Sequence, residues 1–223
     1  MGETMQENKR VEKEKKYWDK LTPRYEPFIE KYWKIYPSLL DKISEDVNSR
    51  DIVLDVATGP GLVALKVAEQ AAQVYAVDIS QPMIEKAEKK MMEKKIKNVE
   101  FSVEDAYTLP FDNDMFDTVI CNSALHNMVN PQKALSEIRR VLKPNGRLIA
   151  TIVGIGESRK FKLAVTIYKF FTAFPVFHKL NLDESAIMIA ESGFTIVNKE
   201  TIKHPEDRMP LLYIVAERVK ENV

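Results

Sequence analysis

The alternation of short β-rich runs with helical segments, which begins at Asp51, constrains the fold of this chain more than any other feature of its sequence. Ile52–Val56 is a continuous apolar run, typical of a strand buried on both faces of a sheet. The alternation predicts an α/β fold with a parallel, doubly wound sheet. Further strands are predicted at 74–77, 99–103, 116–121 and 147–153, and the helices between them at 61–73, 82–95 and 131–142.

The sequence after the fifth predicted strand departs from this alternation. A helix is predicted at 184–192, stopped by Gly193, and two strands follow it without a helix between them, at 194–199 and 211–217. The simplest interpretation is a hairpin that completes a seven-stranded sheet with an antiparallel last strand. Residues 156–180 are too many for a simple connection, so we predict a helical cap near the strand ends.

The first 48 residues are predicted to form a helical lid. Residues 1–16 are almost all polar or charged, which predicts a frayed or solvated start. Aromatic residues then recur at spacings of three and four, as in helices with an apolar stripe, with interruptions at Pro23 and Pro27. Most of these rings are explained by a helical layer that covers the sheet, and one or two by a lid over a cleft.

Composition sets the broad class. A chain of 223 residues with 45% apolar residues is long enough for one sizeable core, and we predict a single domain with a lid (1–48), a core (49–155), a cap (156–180) and a last helix with hairpin (181–223). The 33 basic and 33 acidic residues balance, which disfavours nucleic acid as a partner. One cysteine allows no internal disulfide or zinc cluster. The polar start and the absence of a ~20-residue apolar run predict a cytoplasmic protein without a membrane span.

Three successive strand ends carry residues suited to binding a nucleoside. The loop after the first strand, 55–61, contains Gly59 and Gly61, which allow a ligand to approach the backbone closely. Asp78 ends the second strand, where a carboxylate accepts hydrogen bonds from both ribose hydroxyls. Asp105 follows the third, where a carboxylate accepts from an adenine amino group. Taken singly, either aspartate is more often a helix cap or a turn residue. Together they favour a ligand site at the carboxyl ends of the strands.

Several segments together resemble the class I S-adenosylmethionine-dependent methyltransferases, and most closely the small-molecule branch that includes the ubiquinone and menaquinone biosynthesis methyltransferases. The resemblance covers about residues 50–153 in detail, and the predicted final hairpin agrees with it. Residues 17–25 also resemble the N-terminal lid of such enzymes. The matching segments are VLDVATGPG, AVDIS, EDAYTLPF, FDTVICNSALHNM and EIRRVLKPNGRL.

The resemblance implies S-adenosylmethionine as the cofactor, with S-adenosylhomocysteine as its product, and assigns a role to each matching position. Asp55 organises the loop under the methionine part, while Gly59 and Gly61 allow close backbone approach. Asp78 holds the ribose, and the Asn122 backbone meets the methionine end. The adenine is flanked or bound by Ile79, Met83, Asp105 and Ala106, and the lid contributes Tyr17 and Tyr25.

One position departs from the family pattern. Ala57 stands at the first position of the usual GxGxG, and we expect its φ to stay negative, with a slightly different loop and retained binding. Asn145, which replaces a usual glycine, is harmless because asparagine tolerates the left-handed conformation.

His126, just beyond the fourth strand, is the candidate catalytic residue, as a base or as an orienter of the acceptor. A loop histidine that only packs locally is an equally good explanation. Methyl transfer from a sulfonium depends mainly on alignment, and a base is needed only if the acceptor loses a proton. Cys121 is predicted to be a small buried residue at a strand end.

The sequence therefore predicts methyl transfer from S-adenosylmethionine to a small, partly apolar or aromatic acceptor, with no metal. One alternative is a catalytically silent, cofactor-binding partner subunit. The other is a dinucleotide-dependent oxidoreductase, which is disfavoured because the loop lacks GxGxxG spacing. The oligomeric state and the acceptor's identity stay open.

Overall fold

The β-rich runs form the strands of one seven-stranded mixed sheet, in the order β3-β2-β1-β4-β5-β7-β6. The structure is a computed structural model that describes residues 2–171, 177–207 and 209–219. The predicted α/β fold with an antiparallel last strand is confirmed. The strands are β1 (Ile52–Val56), β2 (Gln73–Asp78), β3 (Val99–Val103), β4 (Phe116–Asn122), β5 (Leu142–Val153), β6 (Phe194–Ile202) and β7 (Leu211–Arg218).

Seven α-helices lie within the described residues, and none of these is long and apolar enough to cross a membrane. The chain divides into two compact units, Met1–Pro110 and Phe111–Val223. The predicted subdivision of a single domain stays a prediction. The helices are α1 (Gly2–Tyr32), α2 (Tyr36–Glu45), α3 (Leu62–Val67), α4 (Gln81–Lys94), α5 (Pro131–Val141), α6 (Arg159–Phe171) and α7 (Leu182–Glu191).

In the first unit, β1, β2 and β3 pair in parallel. The apolar run of β1 is buried as expected, with Val53, Leu54 and Val56 fully inaccessible. The helix predicted at 61–73 ends early, at Val67. The Asn98 amide donates to the carbonyl oxygens of Ala68 and Ala71, at 2.9 and 3.1 Å, and so satisfies the backbone after the helix.

The N-terminal segment differs from its prediction in two ways. Helix α1 begins at Gly2, so the residues expected to form a frayed or solvated start are helical and not frayed. It also continues through Pro23 and Pro27, where an interruption was predicted. Part of the reason is tertiary packing, because Ile29 near the end of this helix is buried. Packing of an apolar face outweighs the local preference of proline, which removes one hydrogen bond of the helix.

In the second unit, β4 and β5 are parallel and β7 lies antiparallel between β5 and β6. Residues 143–146, which separate the predicted helix from the predicted fifth strand, are part of β5, which begins at Leu142 instead of Arg147. The pairing register with β4 shifts there, and Asn145 has φ +64°. The left-handed conformation that asparagine tolerates is therefore found at Asn145, where the pairing of β4 with β5 is irregular. Residues 172–176 of the predicted cap lie outside the described residues.

Candidate functional site

The loop between β1 and α3 carries three residues with left-handed backbone. Ala57, Gly59 and Gly61 have φ values of +57°, +56° and +75°. The expectation of a negative φ at Ala57 is therefore wrong. The loop keeps the backbone path that glycine would allow, and the methyl group of Ala57 is accommodated at a cost of about 1 kcal/mol.

The two glycines of this loop have different surroundings. A Cβ at Gly61 would lie 2.7 Å from the Cβ of Ala87 and 3.0 Å from the Phe101 ring, so Gly61 allows the loop to pack against α4 and β3. A Cβ at Gly59 would lie 3.8 Å from Tyr25 Cε1, which is an ordinary contact. Gly59 therefore presents backbone to the ring of Tyr25, which lies in α1.

Asp55 lies in β1 directly beneath the loop and is almost fully buried. Its Oδ2 accepts a hydrogen bond from the Thr58 hydroxyl at 2.5 Å. Its Oδ1 is buried and has no hydrogen-bond partner of standard geometry among the described residues. Burial raises the pKa of Asp55 to about 7, against the opposing effect of the Thr58 bond. Asp55 thus holds the loop from inside, and its role beside a cofactor stays a prediction.

Asp78, the last residue of β2, connects the loop to the start of α4. Its Oδ2 accepts from the Gly59 amide at 2.8 Å, and its Oδ1 accepts from the Ser80 amide at 2.9 Å. The N-cap of α4 is Ser80, so Asp78 is not a helix cap. Burial raises the pKa of Asp78 to about 6, although the two amides stabilise the charged form. A carboxylate at this strand end is therefore fixed in place beside the glycine loop.

Helix α1 contacts the same strand ends. The Ser80 hydroxyl donates to Asp19 Oδ1 at 2.6 Å. Burial raises the pKa of the Tyr25 phenol, and the charges of Asp78 and Asp55 raise it further. Tyr25 is therefore a neutral hydrogen-bond donor at physiological pH, held next to the loop and the two carboxylates. The predicted lid residue Tyr17 is half-buried and packs edge-to-face on Trp18, with the ring centroids 5.3 Å apart.

Ion pairs join α1 to α4. Glu26 of α1 accepts from Lys86 and Lys90, both at 2.7 Å. Burial acts to raise the pKa of Glu26, but the two lysines outweigh it and lower the pKa. Lys90 also donates to the Pro60 carbonyl at 3.1 Å, so one lysine connects α1, α4 and the glycine loop.

Asp105 follows β3 and has a partner that was not predicted. Its Oδ1 accepts from the Tyr107 amide at 3.0 Å, and its Oδ2 is paired with Arg10 of α1. Arg10 also lies 4.1 Å above the Tyr107 ring and pairs with Glu14 at 2.7 Å. Sequence reasoning missed Arg10 because a charged residue in a charged segment carries no local signal of a distant partner.

The remaining predicted adenine neighbours lie at the expected strand ends. Ile79 and Ala106 are half-buried, directly after Asp78 and Asp105. Met83, in the first turn of α4, is 1% exposed. Their roles beside a cofactor stay predictions.

The second unit carries Asn122 and His126. Asn122 Oδ1 accepts from the Thr151 hydroxyl at 2.5 Å, and the same Thr151 oxygen accepts from the Ser123 amide at 2.9 Å. Ser123 has φ +55°, so the chain turns sharply after β4. Cys121 is fully buried in β4, which confirms its interpretation as a small buried strand residue.

His126 lies in a short 3-10 turn, Leu125–Asn127, and is 3% exposed. Its carbonyl accepts from the amides of Phe177 and His178, at 3.0 and 3.1 Å. His126 Nδ1 and His178 Nε2 are buried without hydrogen-bond partners among the described residues. Burial, together with a smaller effect of the neighbouring His178, lowers the pKa of His126 to about 3, so the imidazole is neutral.

The fold and the first unit define a class of protein. This class is that of the Rossmann-like α/β proteins. The first strand ends in a glycine loop, the second in the fixed carboxylate of Asp78, and the third is followed by the carboxylate of Asp105. This arrangement suits a nucleoside ligand. No group of three or more potential metal ligands occurs in the part of the chain that the structure describes.

Comparison with known proteins agrees with this class. A family model described as a methyltransferase domain matches residues 54–150. The chain is 41% identical over 97 residues to a demethylmenaquinone methyltransferase of Clavibacter sepedonicus, covering 44% of this chain and 39% of that protein. It is 31% identical over 185 residues to a ubiquinone/menaquinone biosynthesis C-methyltransferase of Rickettsia bellii, covering 70% of this chain and 73% of the relative.

Among solved structures, the YcgJ protein of Bacillus subtilis has the same fold, with a TM-score of 0.70 at 20% identity, over 82% of this chain and 98% of that one. The chain spans between 35% and 39% of the length of the first three curated relatives that it matches. From the longer alignment with the Rickettsia protein, the chain belongs to the class I S-adenosylmethionine-dependent methyltransferases, in their small-molecule branch. The predicted family is confirmed.

Proposed function

We propose that this protein transfers a methyl group from S-adenosylmethionine to a small, partly apolar or aromatic acceptor. The observation that carries the proposal is the hydrogen bond of 2.8 Å between the Gly59 amide and Asp78 Oδ2, which joins the glycine loop after β1 to the carboxylate that ends β2. A nucleoside that binds at these strand ends would meet the backbone of the glycine loop together with a fixed acceptor for its ribose.

The residues present fit the cofactor. A Cβ at Gly59 would lie 3.8 Å from Tyr25 Cε1, so glycine leaves a small space between the loop and this ring that an adjacent ligand would use. Asp55 has a buried oxygen, Oδ1, without a standard partner, in a position suited to hold the loop under a cationic methionine moiety. Asp78 would hold the ribose hydroxyls, and Asp105 would accept from the adenine amino group once it separates from Arg10.

The bound cofactor supplies an activated methyl group on a sulfonium, and the protein's task is alignment. Tyr25, as a neutral phenol against Gly59, would cover the cofactor and exclude water. His126 is a weak base because its pKa lies near 3, so we propose that it orients an acceptor by a neutral hydrogen bond through Nδ1. Of the two catalytic roles that the sequence left open for His126, we therefore propose the orienter of the acceptor and not the base.

The acceptor class is supported by two relatives, one named a demethylmenaquinone methyltransferase and the other a ubiquinone/menaquinone biosynthesis C-methyltransferase. It is supported as well by the small-molecule branch to which the chain belongs. The equal numbers of acidic and basic residues do not favour a polyanionic acceptor. We place the reaction in the cytoplasm as part of the same proposal.

Calorimetric titration with S-adenosylhomocysteine tests the cofactor site. We expect micromolar binding that Asp78→Ala weakens by at least tenfold, because two ribose hydroxyls lose their acceptor. Glu85→Ala is the matched control. Glu85 is exposed on α4, the helix that follows Asp78, and this variant should bind S-adenosylhomocysteine as the wild type does. Absence of binding at high micromolar concentration would contradict the proposal.

Transfer of a labelled methyl group to fractions of cell extract tests the reaction itself. An apolar low-mass fraction should take up the label. Binding of S-adenosylhomocysteine without transfer to any fraction would instead support the silent partner subunit. Displacement of S-adenosylhomocysteine by NAD would support the oxidoreductase.

A further inference from the structure

Residues 158–182 are a strongly basic part of a chain that is neutral as a whole. This basic segment contains α6 and the residues that lead into α7. It has no aspartate or glutamate, whereas the whole chain has 33 acidic and 33 basic residues. Its five basic residues are Arg159, Lys160, Lys162, Lys169 and Lys179.

The same segment exposes large apolar side chains. Leu163 and Ile167 of α6 are 62% and 52% exposed, and Phe177 is 41% exposed. Residues four apart lie on one face of a helix, so Leu163 and Ile167 form an apolar stripe that continues from the exposed Arg159. Lys160 is exposed beside it. Single exposed apolar residues are ordinary, but two on successive turns of a basic helix are not.

The fold holds both ends of the basic segment. At its start, the Gly156 amide donates to the Leu180 carbonyl at 2.9 Å, and a Cβ at Gly156 would lie 2.2 Å from the Leu180 backbone. Near its end, the amides of Phe177 and His178 donate to the His126 carbonyl. Because the ends are anchored, the exposed face of α6 is a feature of the folded unit and not of a loose tail.

The acidic residues that flank the basic segment are engaged elsewhere. Glu157 Oε1 accepts from the Leu182 amide at 2.8 Å. Asp183 pairs with Lys199 of β6 at 2.6 Å. The hydrogen bond of Glu157 and the ion pair of Asp183 therefore direct these two carboxylates to partners outside α6.

We propose that α6 lies on the surface of an anionic lipid bilayer, with Leu163 and Ile167 inserted among the acyl chains and the flanking basic residues at the lipid head groups. An amphipathic helix with basic and apolar residues and no acidic ones matches the charge and the polarity of that surface. A protein partner is less well matched, because lysine is depleted in the cores of protein interfaces. Binding of α6 to a bilayer does not depend on methyl transfer. It would, however, bring the protein to an apolar acceptor that is dissolved in the lipid.

Flotation of the full chain with lipid vesicles tests the proposal. We expect binding to vesicles of phosphatidylcholine with phosphatidylglycerol and little binding to phosphatidylcholine alone. Leu163→Gln with Ile167→Gln should weaken binding by about tenfold or more, because two inserted side chains are lost. Arg159→Gln and Lys160→Gln should weaken it by roughly fivefold each, since each basic residue near the surface contributes about that factor.

The matched control is Ile187→Gln with Val197→Gln. These residues are both 56% exposed but lie on α7 and β6, so the control should bind vesicles as wild type does. Equal loss in the control pair, absence of vesicle binding by the wild type, or equal binding to both kinds of vesicle would overturn the proposal. A dimer in sedimentation that Leu163→Gln with Ile167→Gln disperses, without vesicle binding, would assign the face to a second copy of the chain instead.

Titration with S-adenosylhomocysteine, done on the same samples, keeps this proposal separate from the proposed function. Vesicle binding by a protein that binds no S-adenosylhomocysteine would sustain the lipid surface and remove the methyltransferase proposal. Binding of S-adenosylhomocysteine without vesicle binding would do the reverse.

Discussion

Arg10, near the start of α1, pairs with Asp105, which follows β3 and is the predicted acceptor for the adenine amino group. The guanidinium also lies over the Tyr107 ring. The first helix of the chain therefore occupies a carboxylate oxygen at the end where an adenine is proposed to bind. A cofactor that uses this oxygen competes with an ion pair within the protein.

Replacing Arg10 by methionine should strengthen binding of S-adenosylhomocysteine by about threefold to tenfold, because a largely buried ion pair no longer competes for Asp105. Isothermal titration calorimetry measures the change. Arg24→Met, at an exposed position of the same helix, should leave the affinity unchanged. Weaker binding by the Arg10 variant would mean that Arg10 supports the cofactor instead of competing with it.

The affinity for S-adenosylhomocysteine should fall as the pH is lowered through about 6. Asp78 is raised by burial to a pKa of about 6, so below that pH it becomes protonated and a poorer acceptor for the ribose hydroxyls. If only the ionised form binds, the dissociation constant rises by up to about tenfold per pH unit below the pKa. Titrations between pH 5 and pH 8 provide the measurement. Asp78→Asn should bind weakly with little dependence on pH, and a similar fall in that variant would locate the titrating group elsewhere.

Ala57→Gly should stabilise the protein by about 0.5–1 kcal/mol. The residue has φ +57°, which is strained for alanine and free for glycine, while the more flexible unfolded chain of the variant offsets part of the gain. Thermal unfolding should show a rise of roughly 1–4 °C in Tm. Asn145→Gly is the control at φ +64°, where asparagine already tolerates the conformation and the gain should be smaller. A lower Tm for Ala57→Gly would show that its methyl group packs usefully.

Gly61→Ala should be more destabilising than Gly59→Ala, although both glycines have positive φ. The added methyl at Gly61 would lie 2.7 Å from the Cβ of Ala87, and we expect a loss of about 2–4 kcal/mol in the free energy of unfolding. At Gly59 the nearest atom is 3.8 Å away, so only the backbone strain of about 1 kcal/mol applies. Denaturant unfolding of the two variants measures this difference in the free energy of unfolding. Binding of S-adenosylhomocysteine should instead be weakened more by Gly59→Ala than by Gly61→Ala, because the proposed function places Gly59 against the ligand. Equal losses of stability in the two variants would contradict the packing role of Gly61.

Much of the fold could be predicted because it depends on short-range patterns. The apolar run of Ile52–Val56 is buried on both faces, and the two strands after Gly193 form the expected hairpin. The prediction of a helix through Gln73 failed, because Asn98, distant in the sequence, caps the backbone near Ala71. Local periodicity contains no information about such a partner.

What the sequence by itself determined is the placement of Asp55, Asp78 and Asp105 at the ends of three successive strands, since parallel pairing brings the carboxyl ends of neighbouring strands to one edge. Tertiary structure decided their chemical states. Burial raises the pKa of Asp78, and Arg10 comes from 95 residues away to pair with Asp105. Burial and long-range pairing arise only when the chain is folded, because desolvation and Coulomb attraction depend on distance in space and not on distance along the sequence.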